Sequence, residues 1–176
     1  MTSMEQVILV DHNDKQVGLE EKLKAHQNGG KLHRAFSIFI FNKKGETMLQ
    51  QRAAAKYHGG GLWSNTVCSH PRAGETPLQA AHRRLKEEMG FDCEMREVFA
   101  FEYEAKMDKG LTEHEYDHVI FGTYEMNPEP NPDEVQAWKW ISLEALKNDL
   151  EKKPGAYTPW VRISINDIIR HYKESK

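Results

Sequence analysis

Cysteine is scarce in this chain, with only Cys68 and Cys93 among 176 residues. That excludes a disulfide framework and points to free thiols in a reducing compartment, with a Cys68 to Cys93 bridge the weaker alternative. Long apolar runs are also missing. None approaches the about 18 residues a membrane-spanning helix requires, and the opening Met-Thr-Ser-Met-Glu-Gln lacks the basic segment and apolar core of a leader. The chain therefore reads as cytoplasmic. Neither sign of charge is in excess: 24 Lys and Arg face 27 Asp and Glu, for a net charge of -3. This argues against electrostatic binding to nucleic acid or an anionic membrane and leaves a small molecule as the expected partner. No repeat, low-complexity tract or Gly/Ser linker divides the sequence. Residues 1–176 are thus expected to form one domain, a monomer, able to bury about two-thirds of its unfolded surface without a structural metal. A bound metal would then serve function.

Against that background one stretch stands out, Trp63-Ser64-Asn65-Thr66-Val67-Cys68-Ser69-His70-Pro71. It sets a thiol two residues from an imidazole in a run that otherwise looks like a buried strand. Extended geometry turns residues i and i+2 to one side, so Cys68 and His70 are expected to face one cavity. His26 and His33 near the front and Glu113-His114-Glu115 further on are the other polar clusters of this kind. Glu113 and Glu115 project together from an extended segment and leave His114 on the opposite side.

The element pattern is mixed. Val7 to Val10 and Phe36 to Phe41 are rich in β-formers, and Asn42-Lys43-Lys44-Gly45 reads as a hairpin turn. Thr76-Pro77 supplies an N-cap and a first-turn proline and Gly90 a stop. Between them Leu78, Ala81, Leu85 and Met89 form a helical stripe, with Glu87 in water. Val98 to Glu104, Val119 to Tyr124 and Val135 to Ile141 read as strands, the Pro-rich Asn127 to Asp133 as a turn. Ser142 caps a short helix through Leu150, and Thr158-Pro159 opens a terminal one striped by Val161, Ile165, Ile168 and Tyr172. Strands and helices without regular βαβ alternation favour an α+β fold, an α/β/α sandwich on a mixed β-sheet.

The run Ser69-x5-Glu75-x7-Arg83-Arg84-Leu85-Lys86-Glu87-Glu88-Met89-Gly90-Phe91 resembles the Nudix box, the signature of enzymes that handle diphosphates through a divalent metal. Ser69 replaces the opening glycine, and Arg84 replaces a glutamate of the hydrolases' metal cluster. Those departures, together with the Cys68 and His70 stretch and Glu113-x-Glu115, closely resemble the type I isopentenyl-diphosphate isomerases, from Val7 to Trp160. The resemblance implies interconversion of isopentenyl and dimethylallyl diphosphate by protonation and deprotonation, in isoprenoid biosynthesis. It further implies Cys68 and Glu115 as the acid/base pair, in an order it leaves open, with Tyr103 bonded to Glu115 and Trp160 facing a tertiary carbocation. It assigns one ion, manganese, zinc or iron, to His26, His33, His70, Glu113 and Glu115. It assigns Mg2+ on the diphosphate to Glu88 and the main chain near Cys68. Lys22, Arg52, Lys56 and Ser69 match family positions for diphosphate binding. Arg84 is added to them from the box alone. Three imidazoles and two carboxylates exceed a four-ligand structural zinc site and suit a higher-coordinate ion.

Other readings stand beside these. A divergent Nudix hydrolase keeps Glu75, Glu87 and Glu88 but leaves Cys68 and the histidines unexplained. A silent metal- or nucleotide-binding module has no need of both Cys68 and Glu115. His12, His58, His82, His118 and His171 are read as ordinary surface or core residues, Trp138 and Trp140 as sheet packing, and Cys93 as packing. Tyr57-His58-Gly59-Gly60-Gly61 lacks the aromatic-Pro-Gly common in the family, so this loop is expected to be more flexible.

Overall fold

The structure, a computed structural model, describes residues 4–176. It is built on β3 (His33–Phe41), whose sequence His-Arg-Ala-Phe-Ser-Ile-Phe-Ile-Phe is almost continuously apolar, the pattern of a strand covered on both faces. Before it lie β1 (Gln6–Val10), β2 (Gln16–Glu21) and the short α1 (Lys22–Ala25). After it come β4 (Glu46–Arg52), β5 (Trp63–Ser64), β6 (Val67–Ser69), α2 (Pro77–Met89), β7 (Met95–Lys106), β8 (Thr112–Thr123), β9 (Val135–Ser142), α3 (Leu143–Lys152) and α4 (Pro159–Glu174). The sheet is mixed: β3 runs parallel to β8 and antiparallel to β1, β4 and β6, while β7 pairs antiparallel with β8 and β9 with β4.

Alternation along β3 sorts the two cores. Phe36, Ile38 and Ile40 point toward α2, where they meet Ala81, Leu85 and Met89; Trp138 and Trp140 pack on this side, as alternation predicts. Phe39 and Phe41 point the other way, against Leu146, Val161, Ile165 and Ile168 of α3 and α4. Helices therefore cover both faces, the expected sandwich. The expected strands and longer helices are all present. The β2 strand and α1 were not anticipated, because Gln16–Ala25 is largely polar and has neither strand nor helix periodicity.

The box helix α2 starts and stops for local reasons. Thr76 and Gln79 form a reciprocal capping box with Pro77 in the first turn. Gly90 ends the helix at φ +75, and a Cβ there would lie 2.3 Å from the Glu129 carbonyl oxygen. Thr76→Ala is expected to lower unfolding free energy by about 1 kcal/mol. Gly90→Ala should cost more than that, since it adds strain to a clash with main chain. Urea unfolding followed by circular dichroism checks both, and equal stability of Gly90→Ala and wild type would contradict the account of the helix end.

Candidate active site

The register of β3 assembles the polar end of the sheet. His33 lies opposite Glu115 of β8, and Glu115 lies opposite Tyr103 of β7, so Tyr103, Glu115 and His33 form one cross-strand row. Cys68 of β6 lies opposite Ser37 of β3, two positions further along the same face. His70 follows β6, and His26 follows α1, whose carbonyl groups close back on it. Glu113 and Glu115 point inward while His114 is turned outward to Glu102 at 3.0 Å.

One potential ligand atom each from His26, His33, His70, Glu113 and Glu115 falls within a sphere where all lie within 4.8 Å of one another, and all five residues are buried. Their hydrogen bonds decide what they can hold. Nδ1 of His26 donates to the Lys22 carbonyl at 2.6 Å and Nδ1 of His33 to the Lys31 carbonyl at 2.7 Å. Each proton is thereby placed on the outer nitrogen, and the Nε2 lone pairs face inward, the arrangement metal-ligating histidines adopt. Nε2 of His33 is 3.3 Å from Nε2 of His70 and 3.4 Å from Oε1 of Glu115. Lone pairs and carboxylate oxygens crowded this way need a cation among them, so the residues fit a divalent ion. Burial opposes ionisation of Glu113, but its polar neighbours, His26 and His58 among them, outweigh it and hold its carboxyl well below the usual range. Burial likewise opposes a charge on His26, yet the bond and charge of Glu113 raise its affinity for a proton. His70, with less compensation, is shifted well down by burial.

Beside this cluster is a cavity with only about 20 Å³ of open space, lined by Arg52, Tyr57, His58, Cys68, Ser69, His70, Tyr103, Glu113, Glu115 and Trp160. The Tyr103 hydroxyl donates to Glu115 at 2.9 Å. The Cys68 thiol donates to Oδ1 of Asn65 at 2.7 Å, and the Trp160 indole N–H donates to the same oxygen at 3.0 Å. Burial, then the nearby Asp117 carboxyl, pushes the Cys68 thiol up to about 12, so it is protonated at neutral pH. Asp117 is itself buried and pushed well up, chiefly by burial and then by Glu115; it accepts a bond from Ser37 at 2.7 Å, and Ser37 lies 3.7 Å from the thiol.

The remaining expected residues lie outside the cavity lining. Lys22 pairs with Glu5 at 3.1 Å and lies over the Tyr57 ring, and Lys56 pairs with Glu134. Glu88 is buried with one oxygen on Arg84 and the other accepting from Gln50 at 2.9 Å, while Arg84 also contacts Glu87 and Glu134. Arg84 therefore tethers the box carboxylates in this structure. Both cysteines are free. His58 departs from expectation. It is 1% exposed, lines the cavity and contacts Glu113, whereas a surface or core position was expected. A lone histidine before three glycines carries no periodic signal that could have marked it. The loop around it is pinned, with the Gly59 N–H on Asp108 at 2.9 Å and Arg52 on the His58 carbonyl at 3.0 Å. His12, His82, His118 and His171 do occupy ordinary positions, paired with acidic side chains or, for His171, stacked on Phe99.

Fold and box define a class: the NUDIX domain family model matches residues 31–161. Solved structures agree on the fold, among them a Deinococcus radiodurans protein (TM-score 0.78, 18% identity, 93% of this chain and 98% of that one) and the MutT protein of Methanosarcina mazei (TM-score 0.66, 18% identity, 82% and 96%). Sequence relatives narrow the class. Isopentenyl-diphosphate Delta-isomerase 2 of Aromatoleum aromaticum is 52% identical over 94% of this chain and 87% of its own length. Isopentenyl-diphosphate Delta-isomerase 1 of the same organism is 50% identical over 98% and 97%, and the isomerase of Pectobacterium atrosepticum 46% over 97% and 95%. The chain belongs to the isopentenyl-diphosphate Delta-isomerase family within the Nudix fold.

If the five-residue cluster holds a divalent ion, chelator-stripped protein is expected to gain about 2.7 kcal/mol of stability at an ion concentration 100 times the dissociation constant. His33→Ala should abolish that gain in thermal unfolding measured with and without Mn2+ or Zn2+. A gain of equal size in His33→Ala would exclude the cluster as the binding site.

Proposed function

We propose that this isomerase moves its double bond by proton exchange between the substrate and two side chains, Cys68 and Glu115, that reach one cavity from different strands. The observation that carries the reading is that both line the same buried cavity with β3 between their strands, so they flank whatever occupies it. The enzyme interconverts isopentenyl and dimethylallyl diphosphate. A proton is added to the terminal methylene carbon, the carbon beside it becomes a tertiary cation, and a proton leaves the next methylene, placing the double bond one position along. One of the pair gives the first proton and the other takes the second; their roles exchange with the direction of reaction.

Protonating an alkene requires a dry site and tolerance of the cation. Trp160 meets the second need: its N–H is tied to Asn65 and Ser64, which fixes the ring at the cavity wall, and a desolvated aromatic face stabilises a cation by about 2 kcal/mol. Tyr103, bonded to Glu115, relays or holds its proton. His26, His33, His70, Glu113 and Glu115 would hold one divalent ion, Mn2+ or Zn2+ by their donor chemistry, which would supply positive charge beside the Glu115 carboxylate and orient it. Glu88 and the main chain at Cys68 would hold the Mg2+ that accompanies the diphosphate. Arg52 and Ser69 bind the diphosphate at the cavity wall, and Lys22, Lys56 and Arg84 join them on release from Glu5, Glu134 and the box carboxylates. The free thiols fit a cytosolic setting, and we read residues 1–176 as one monomeric domain.

Proton NMR of the protein with isopentenyl diphosphate, Mg2+ and Mn2+ in D2O tests this. Dimethylallyl methyl signals carrying deuterium are expected; phosphate release without them would instead favour hydrolysis. Cys68→Ala and Glu115→Gln should each fold and lose about 10³-fold in rate, the scale of a general acid or base. Activity within tenfold of wild type in either variant removes that residue from the mechanism.

A further inference from the structure

His58 is the one histidine of the cavity that the five-residue cluster does not include. It sits on the loop between β4 and β5, 1% exposed, with its ring centroid 5.5 Å from that of His26 and 6.2 Å from that of Trp160. It thus spans from the metal cluster to the wall expected to face the carbocation. Its Nε2 abuts Oε1 of Glu113. Apart from that contact neither ring nitrogen has a hydrogen-bond partner among the described residues. A buried imidazole with no other partner has a cost that this single contact must offset.

The two oxygens of Glu113 are divided between different neighbours. Oε2 faces His26 at 3.0 Å and His33 at 4.0 Å, inside the cluster, while Oε1 faces His58. The loop that carries His58 is shaped to present it. Gly59 and Gly61 have φ of +61 and +82, and a Cβ on Gly60 would lie 2.4 Å from the Ala54 carbonyl oxygen, so the turn closes only with glycine there. Arg52, Asp108 and the Arg52 carbonyl hold its main chain. With His58 in place the cavity has room for about one water molecule, far less than a five-carbon diphosphate needs.

We infer that His58 is a positioning residue that latches this loop to the outer oxygen of Glu113, turning the inner oxygen toward the three-imidazole set and closing the cavity. The inference rests on the metal reading of that set. An outer partner that orients a ligating carboxylate strengthens ion binding. Because linkage is reciprocal, the bound ion in turn holds the loop closed. Substrate is admitted when the loop lifts His58 away.

The test uses the full chain, stripped with chelator and titrated with Mn2+ in competition with a chelating dye, alongside hydrogen exchange of residues 53–62. In wild type, saturating Mn2+ is expected to slow exchange in that loop. His58→Ala should bind Mn2+ about 10- to 100-fold more weakly and lose the ion-dependent protection. His58→Gln, whose amide N–H still reaches the carboxylate, should recover most of both, and His58→Leu neither. The Gln and Leu pair carries the comparison should the alanine variant fold poorly. Unchanged affinity and unchanged ion-dependent protection in His58→Leu overturn the latch alone. A wild-type protein that takes up no Mn2+ overturns the metal reading and the latch together.

Discussion

The register of β3 against its neighbours is the constraint on which the rest depends. Side chains alternate along a strand, so a slip of one residue would exchange the two faces. His33 and Ser37 would turn from the site toward α2, and Phe36, Ile38 and Ile40 would lose their contacts with that helix. The apolar half of β3 makes such a slip prohibitive, because Phe36, Ile38, Phe39 and Ile40 are each no more than 1% exposed. Hydrophobic packing at one end of the strand thus sets polar geometry at the other. His33 meets Glu115 and Ser37 meets Cys68 because Phe39 and Phe41 are already committed to α3 and α4.

A second layer of order comes from Asn65. Its Nδ2 donates to the carbonyls of Ile38 and Val67 at 3.0 and 2.9 Å, which fixes which end of the amide is oxygen. That oxygen then receives the Cys68 thiol and the Trp160 indole together. The orientation of the thiol and the placement of the aromatic wall are one decision, made by a buried amide with both ends satisfied. Thr66 does similar service for the main chain, accepting from the Ile40 N–H at 3.0 Å and donating to the Met48 carbonyl at 2.6 Å. The segment between β5 and β6 is irregular but leaves few backbone groups unpaired, and so it can be buried.

How much of this was legible in the sequence depends on the range of the interaction. The ends of α2 were, since Thr76, Pro77 and Gly90 act through neighbouring main chain. So was the shared direction of Cys68 with His70 and of Glu113 with Glu115, since extended geometry fixes it locally. The convergence of His26, His33 and His70 on the two glutamates came from likeness to a family, because no spacing rule joins residues so far apart in the chain. His58 was missed for the converse reason. Its burial is the product of a glycine turn, an Arg52 contact and an Asp108 contact, none of which leaves a mark at position 58 itself. The same contacts hold the main chain of the glycine loop that carries it.

Arg84 shows what one exchange of charge does to the Nudix helix. In the hydrolase box that this helix resembles, a glutamate stands at this position and would add to the carboxylates of the helix. Here a guanidinium contacts Glu87, Glu88 and Glu134 at once, and those carboxylates raise its own affinity for its proton against the opposing effect of burial. Negative charge along this face of α2 is therefore balanced within the protein. The dense carboxylate and imidazole set lies on the other face of β3, with His33, Glu113 and Glu115. The carboxylates of the box helix are held within the protein by Arg84, while on our proposal Glu115, beside Trp160 and Cys68 in the cavity wall, faces the place where the hydrocarbon would be protonated. On that proposal, a site organised in this way would separate holding the diphosphate from working on the carbon chain attached to it.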